Sequence, residues 1–368
     1  MERRLRADVE HLAALVRDSA GPGERASAAW IARRLREEGA EAVDVEPFRY
    51  QGTYAWAHAA HAAAGLAGGW AAAAALLSLD LEASGRLQWL RRVLPAGEGA
   101  NVVARLPAAP GGRRATLVLV AHHDAARTGA VWHPRIARLA LRSRRRRIAG
   151  FQQPTAAGLA LAALPSRRAR AAGRALLAAS IAADVDVARS PTVPGASDNA
   201  TGVAALLWLA GQVGAPHVET LLVATGCEES GMGGMAAFLR AHGAELRAHR
   251  TLVLSLDTLG AGAPVLAAGE GTIREHRYRA ADLALADAGA ARAGEPPPPR
   301  WRIGGWTDPI LARFAGLPAI SLLSMAPGGG FTEYHRLGDT AGRVEWRSVG
   351  RCTRIAAGIA AAFAAVTV

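Results

Sequence analysis

At 368 residues and 51% apolar content the chain can bury a sizeable core, which excludes a disordered tail or a small disulfide scaffold. Its formal charge of +12 comes from Arg alone, because the sequence holds no Lys, and the one dense basic run, Arg144 to Arg147, has no aromatic ladder or zinc-knuckle spacing beside it, so no nucleic-acid partner is expected. The two cysteines, Cys227 and Cys352, make no disulfide framework and fit a reducing compartment.

Residues 1–17 mix Arg with Asp and Glu and contain neither an uninterrupted apolar core nor a cleavage site. No secretory signal is expected there, and the expected location is cytoplasmic, at the cytoplasmic face of a membrane if the apolar tracts described next embed. Apolar residues at helical spacing predict helices over 5–16 and 26–38, divided by Gly21-Pro22-Gly23, and 42–50 alternates as a strand does. From 50 to 79 there is no charged residue, and 62–79 is an Ala/Gly/Leu run around Trp70. Its length stands at the threshold of a membrane span, but Ala and Gly contribute little on transfer to lipid, so a packing helix is the expected reading and a span the alternative.

Residues 101–106 and 116–120 predict strands linked by the turn-rich 107–112, as a hairpin or as neighbours in a sheet. The tract 127–193 passes through Arg144 to Arg147, the uncharged 148–166 and an apolar stretch near 175–183. It is too long for a bare loop and predicts at least two helices, packed on the body or lying on a membrane. The two Ala-rich tracts, 50–81 and 148–183, are too apolar to stay solvated alone and are expected to meet as one accessory helical layer, with Arg144 to Arg147 at a membrane face if the layer is embedded.

Beyond Pro194 the pattern becomes regular: helix 201–212, strand 220–225, helix 231–242, strand 251–257, the stiff Pro296 to Pro299, strand 317–324 and a closing helix over 348–366. The fold class expected is α/β: a mixed, largely parallel central sheet flanked by helices, with an accessory Ala-rich helical insertion.

Chemistry-bearing residues fall where strands end. Strand 116–120 runs into Ala121-His122-His123-Asp124, strand 220–225 into Gly226-Cys227-Glu228-Glu229, and strand 251–256 into Asp257. The turn Pro194-Gly195-Ala196-Ser197-Asp198-Asn199 opens into an apolar run and predicts Asp198 at a helix N-terminus, where a plain cap is the ordinary reading. A late Gly-rich loop presents Tyr334-His335-Arg336-Leu337-Gly338-Asp339-Thr340. Ligands bind outside the carboxyl ends of strands in open α/β sheets, so the three strand ends deliver a His-x-Asp, a Glu-Glu and an Asp to the same rim. Carboxylates that converge cannot all ionise unaided, which calls for cations, and imidazole with carboxylate oxygen suits zinc, with two ions roughly 3.5–4 Å apart a recurring hydrolytic arrangement. His217, His242 and His249 have no ligand spacing, and Cys227 reads as a small buried filler. No Gly-x-Ser-x-Gly elbow, Walker loop or His-Glu-x-x-His helix is present.

Taken together, His122-x-Asp124, Pro194-Gly195-Ala196-x-Asp198-Asn199-Ala200-x-Gly202, Glu228-Glu229-x-Gly231, Leu256-Asp257-Thr258-Leu259-Gly260 and Tyr334-His335-x-x-x-Asp339-Thr340 resemble, in order and spacing, the M28 family of zinc peptidases. The resemblance implies a single peptidase domain over 1–368, with insertions at 51–98 and 127–193. It implies a co-catalytic pair of zinc ions, with Asp198 bridging, His122 and Asp257 completing one site, and Glu229 and His335 the other. Glu228 is then the general base and Asp124 the carboxylate that orients His122, with His123 a bystander. The activity implied is an aminopeptidase that releases N-terminal residues from peptides through a hydroxide held between the ions. Arg336 stands where a Thr is frequent, and Trp306-Thr307-Asp308-Pro309 where a Ser-Asp-His is frequent, which bears on specificity. The alternatives are a glutaminyl cyclase-like acyltransferase on the same fold, for which a single zinc is implied, and a catalytically silent scaffold.

Overall fold

The protein is described by a computed structural model over residues 1–136, 147–148 and 150–367. In chain order its elements are α1 (Glu2–Ala13), α2 (Pro22–Glu37), β1 (Ala42–Tyr50), α3 (Ala55–Gly65), α4 (Gly69–Ala83), β2 (Gly97–Leu106), β3 (Ala115–His122), β4 (Arg147–Ile148), α5 (Gln153–Ala163) and α6 (Arg167–Arg189). There follow α7 (Thr201–Ala210), β5 (Val218–Thr225), α8 (Gly233–Ala248), β6 (Arg250–Leu256), β7 (Ala263–Glu270), β8 (His276–Arg277), α9 (Ala280–Arg292), β9 (Arg300–Ile303), α10 (Pro309–Phe314), β10 (Ala319–Met325) and α11 (Trp346–Ala365).

The strands form one sheet in the order β1-β2-β5-β3-β6-β10-β7-β9-β4, with β8 on β7. Its centre, β5-β3-β6-β10, is parallel, and antiparallel β1, β2 and β7 flank it. β3 is buried along its whole length, as a strand covered on both faces must be, and its sequence is correspondingly a continuous apolar run. α7 is apolar all round and almost wholly buried, so it belongs inside the molecule, where it holds the approach to Asp198 rigid.

Strands β2 and β3 do not form a hairpin and are not neighbours, contrary to the sequence expectation, because β5 lies between them. Apolar β5 needs a partner on each edge. The link from β2 to β3 steps past it along the turn before β5, with Ala109 N–H bonded to Pro216 O at 2.8 Å and Arg114 N–H to His217 O at 2.9 Å.

The run 62–79 is two helices, not one. Gly68 and Gly69 take φ of +76° and +54°, a left-handed turn that favours glycine, and reverse the chain between α3 and α4. No helix among the described residues is long and apolar enough to cross a membrane. The two Ala-rich tracts do meet: Ala62, Ala72, Ala75 and Leu79 of α3 and α4 pack with Leu159, Ala162 and Leu177 of α5 and α6, a small core separate from the main one. The basic run at 144–147 lies outside the described residues, apart from the backbone of Arg147 in β4.

The root of this layer is bolted to the turn after β5. Tyr50 O–H and Gln88 Nε2 both donate to Gly231 O, at 2.7 and 2.9 Å, and Arg91, ion-paired with Glu82 at 2.9 Å, donates to Ser230 O.

Candidate metal centre

At the carboxyl rim of the sheet the structure brings together all the predicted side chains. Asp198 is the hub. Its Oδ1 lies 3.3 Å from His122 Nε2, which in turn is 3.7 Å from Asp257 Oδ1. Its Oδ2 lies 3.4 Å from His335 Nε2, which is 3.2 Å from Glu229 Oε2. One donor atom each from His122, Asp198 and Glu229 fall within 4.8 Å of one another. Asp198 precedes the helix and is not its cap: residues 196–200 form an irregular turn, Ala200 stands at the N-cap, and Asn199 Oδ1 accepts from Gly202 N–H at 3.1 Å.

The donor set fits zinc. Tetrahedral ligands at about 2.0 Å from an ion stand about 3.3 Å from each other, close to the spacings within each half of the cluster. Among the described residues, His335 Nε2 and Glu229 Oε1 are buried without a hydrogen-bond partner, an expensive condition that a cation would relieve. The electrostatics agree. Burial pushes the Glu228 carboxyl well above the usual range, helped by Asp308, Glu229 and Asp257 and opposed by His122. Burial would lower both imidazoles, yet the carboxylates around them win: His335 is pushed up to about 10 by Glu229 and Asp198, and His122 well above its usual value by Glu228 and its aspartate neighbours. Burial would raise Asp198, and the two imidazoles more than offset it. The cluster is short of positive charge.

Residues behind the rim hold it in place. Asp124 is fully buried beyond His122, with Oδ1 3.4 Å from His122 Nδ1. It also accepts from Ser19 O–H at 2.7 Å and from the Glu228 and Glu229 N–H groups at 3.0 and 3.1 Å, so one carboxylate sets both the imidazole and the Glu-Glu turn. Asp339 accepts from the N–H groups of Ser197 and Asp198 at 2.8 and 3.1 Å. His123 points away, bonded to Ser27 and to Ala100 O, as expected of a bystander. Buried Arg17 donates to the carbonyls of Leu12, His123, Pro194 and Gly195, clasping the His122 and Asp198 segments together. Glu24 accepts from the N–H groups of Ala20, Ala100 and Cys227 and from the Cys227 thiol; burial pushes it up to about 7.

A cavity of about 270 Å³ opens on the cluster. The body supplies Trp306, Thr307, Phe331, Tyr334 and Arg336 to its wall, while Tyr54, just before α3, and His58 within it come from the insertion 51–98, and Trp132 and Phe151 from the insertion 127–193. Trp132 stands edge-on to His335 with ring centroids 4.4 Å apart. Asp308 is buried beside the cavity, hydrogen-bonded by Thr225 O–H and pushed up to about 7 by burial. Both departures noted in the sequence, Arg336 and the Trp306 segment, thus lie at this cavity. His217, His242 and His249 do not.

Residues 180–360 match the model of the family described as Peptidase family M28. Comparison with curated proteins by sequence finds no match. Among solved structures the chain is similar to an aminopeptidase from Aneurinibacillus sp. strain AM-1, with TM-score 0.60 at 14% identity over 98% of this chain and 93% of that one. It is similar to a zinc aminopeptidase from Bacillus subtilis, with TM-score 0.60 at 12% identity over 98% and 94%. A Bacteroides thetaiotaomicron glutaminyl cyclase gives TM-score 0.59 at 13% identity over 98% and 97%. At such identities the likeness is one of fold.

Proposed function

With residues 180–360 those of peptidase family M28, a family of hydrolases acting on peptides, we propose that the chain is a two-zinc aminopeptidase. The observation that carries this reading is the placement of Asp198, each of whose oxygens faces one imidazole with a further carboxylate behind it: His122 with Asp257, and His335 with Glu229. These residues would hold the metal. Zinc bound there supplies Lewis acidity and lowers the pKa of a coordinated water.

The chain's own residues do the rest. Glu228 lines the cavity but makes no ion pair with either imidazole, which leaves its carboxylate to take a proton from the attacking water and return it to the departing amine. Burial, with Asp308, Glu229 and Asp257 nearby, raises its basicity, and a divalent cation held by the cluster would favour its ionised form. Asp124 fixes Glu228 by its backbone N–H. Tyr54, Trp132 and Phe151 give the cavity an aromatic wall against which the end of a peptide can pack.

Incubating the zinc-loaded protein with short peptides tests this. Release of the N-terminal residue from free peptides, and none from N-acetylated ones, is the expected result. Cyclisation of N-terminal Gln without residue release would replace the reading with the cyclase one, and inertness towards both sets would leave a scaffold.

A further inference from the structure

The accessory layer exposes an apolar stripe on α4. Trp70, at the start of α4, is 90% exposed, and Leu77, two turns further on the same stripe, is 63% exposed, with Ala74 between them. The stripe runs back towards the root of the layer, where Trp89 is tethered through its indole N–H to Ser78 Oγ at 2.8 Å, and Leu164 projects from the end of α5. Beside this apolar stripe lies a cluster of Arg167, Arg168, Arg170 and Arg174 in the first turns of α6. Arg174 Nε donates to Leu66 O at 2.9 Å, and a Cβ on Gly68 would lie 3.5 Å from Arg170 Cδ, so the cluster abuts the turn that carries Trp70. There is no acidic residue in 51–79 or 150–183, and among the described residues none of these four Arg side chains forms an ion pair. Cations in the first turn of a helix also oppose its dipole, which concentrates positive potential at this end.

We propose that this end of the layer docks on an anionic lipid bilayer. Indole rings settle at the level of lipid headgroups, aliphatic side chains just beneath, and Arg side chains that lack a carboxylate partner meet lipid phosphates. A nucleic acid would satisfy the Arg cluster but not the exposed Trp70 and Leu77 stripe. Docking is peripheral: α4 has 15 residues, about 22 Å of helix, against a hydrocarbon core of about 30 Å. Neither the metal nor the peptidase reading is needed for it.

Co-sedimentation of the full chain with phosphatidylcholine vesicles, with and without phosphatidylglycerol, tests the proposal. Binding is expected only with phosphatidylglycerol present, to weaken as salt rises, and to shift tryptophan emission to the blue. Each Arg near such a surface is worth about five-fold, so the triple change Arg167→Gln, Arg168→Gln, Arg170→Gln should weaken binding about a hundred-fold. Trp70→Ser should weaken it and abolish most of the blue shift, with thermal unfolding unchanged for both variants. No partition into phosphatidylglycerol vesicles, equal partition into neutral ones, or partition untouched by both variants would overturn the proposal. Self-association through the same stripe without vesicle binding would do so too.

Discussion

Glu228→Gln is expected to lower kcat on aminoacyl peptides by roughly 10²–10⁴ and to leave zinc content at the wild-type level. The amide keeps the shape of the side chain and removes only its capacity to accept a proton. The neighbouring change, Glu229→Gln, should behave differently, because Glu229 Oε2 lies 3.2 Å from His335 Nε2 in one half of the cluster. It weakens a charged ligand, so zinc should leave that half first and added zinc should partly restore the rate. The contrast depends on Asp124, which bonds the N–H groups of both residues and so fixes the turn that sends adjacent side chains in separate directions. Metal analysis and steady-state kinetics on both variants decide it. Full metal retention in both, or near-normal turnover in Glu228→Gln, contradicts the assignment of roles.

The second large effect lies behind the rim. Arg17→Met should destabilise the zinc-free protein by about 3–5 kcal/mol, the usual cost of breaking a buried charged network by removing one partner. Burial pulls the Arg17 guanidinium down to about 10, against the pull of Asp339, Asp124, Asp198 and Glu229, so it stays charged at neutral pH. Its loss strands the carbonyls of His123, Pro194 and Gly195 and removes positive charge from beneath the carboxylates. Zinc supplies positive charge at the same place, so loading the metal should recover part of the lost stability. Denaturant unfolding with and without zinc measures both effects, and a cost below about 1 kcal/mol in the zinc-free protein would show that the clasp is dispensable.

The rim residues were legible because each stands at the end of an apolar strand or at a marked turn, where a polar cluster has no structural excuse. The frame behind them was not. Arg17 and Glu24 sit in and beside N-terminal helices rich in charge, and nothing local separates a buried Arg or Glu from a solvated one. Asp339 was visible within its motif, but its bond to the Asp198 backbone crosses the chain and follows only from the fold. The order of β2, β5 and β3 was misread for a related reason: proximity in sequence favours a hairpin, whereas β5 needed partners on both edges. Strand β7 lies in a stretch of Ala and Gly with no alternation to announce it, and β9, Arg-Trp-Arg-Ile, alternates over only four residues. The meeting of the two Ala-rich tracts was legible from composition alone, since surfaces of that kind must be covered, but Trp132 gave no sign that it would stand against His335.

The count of zinc ions bound per chain tests the account most directly. Protein stripped with chelator, reloaded with zinc and desalted should carry two ions, and Asp198→Ala should carry neither, because that one carboxylate serves both halves of the cluster. A single ion in the wild type that survives Asp257→Asn, or no ion at all, would contradict a two-metal centre.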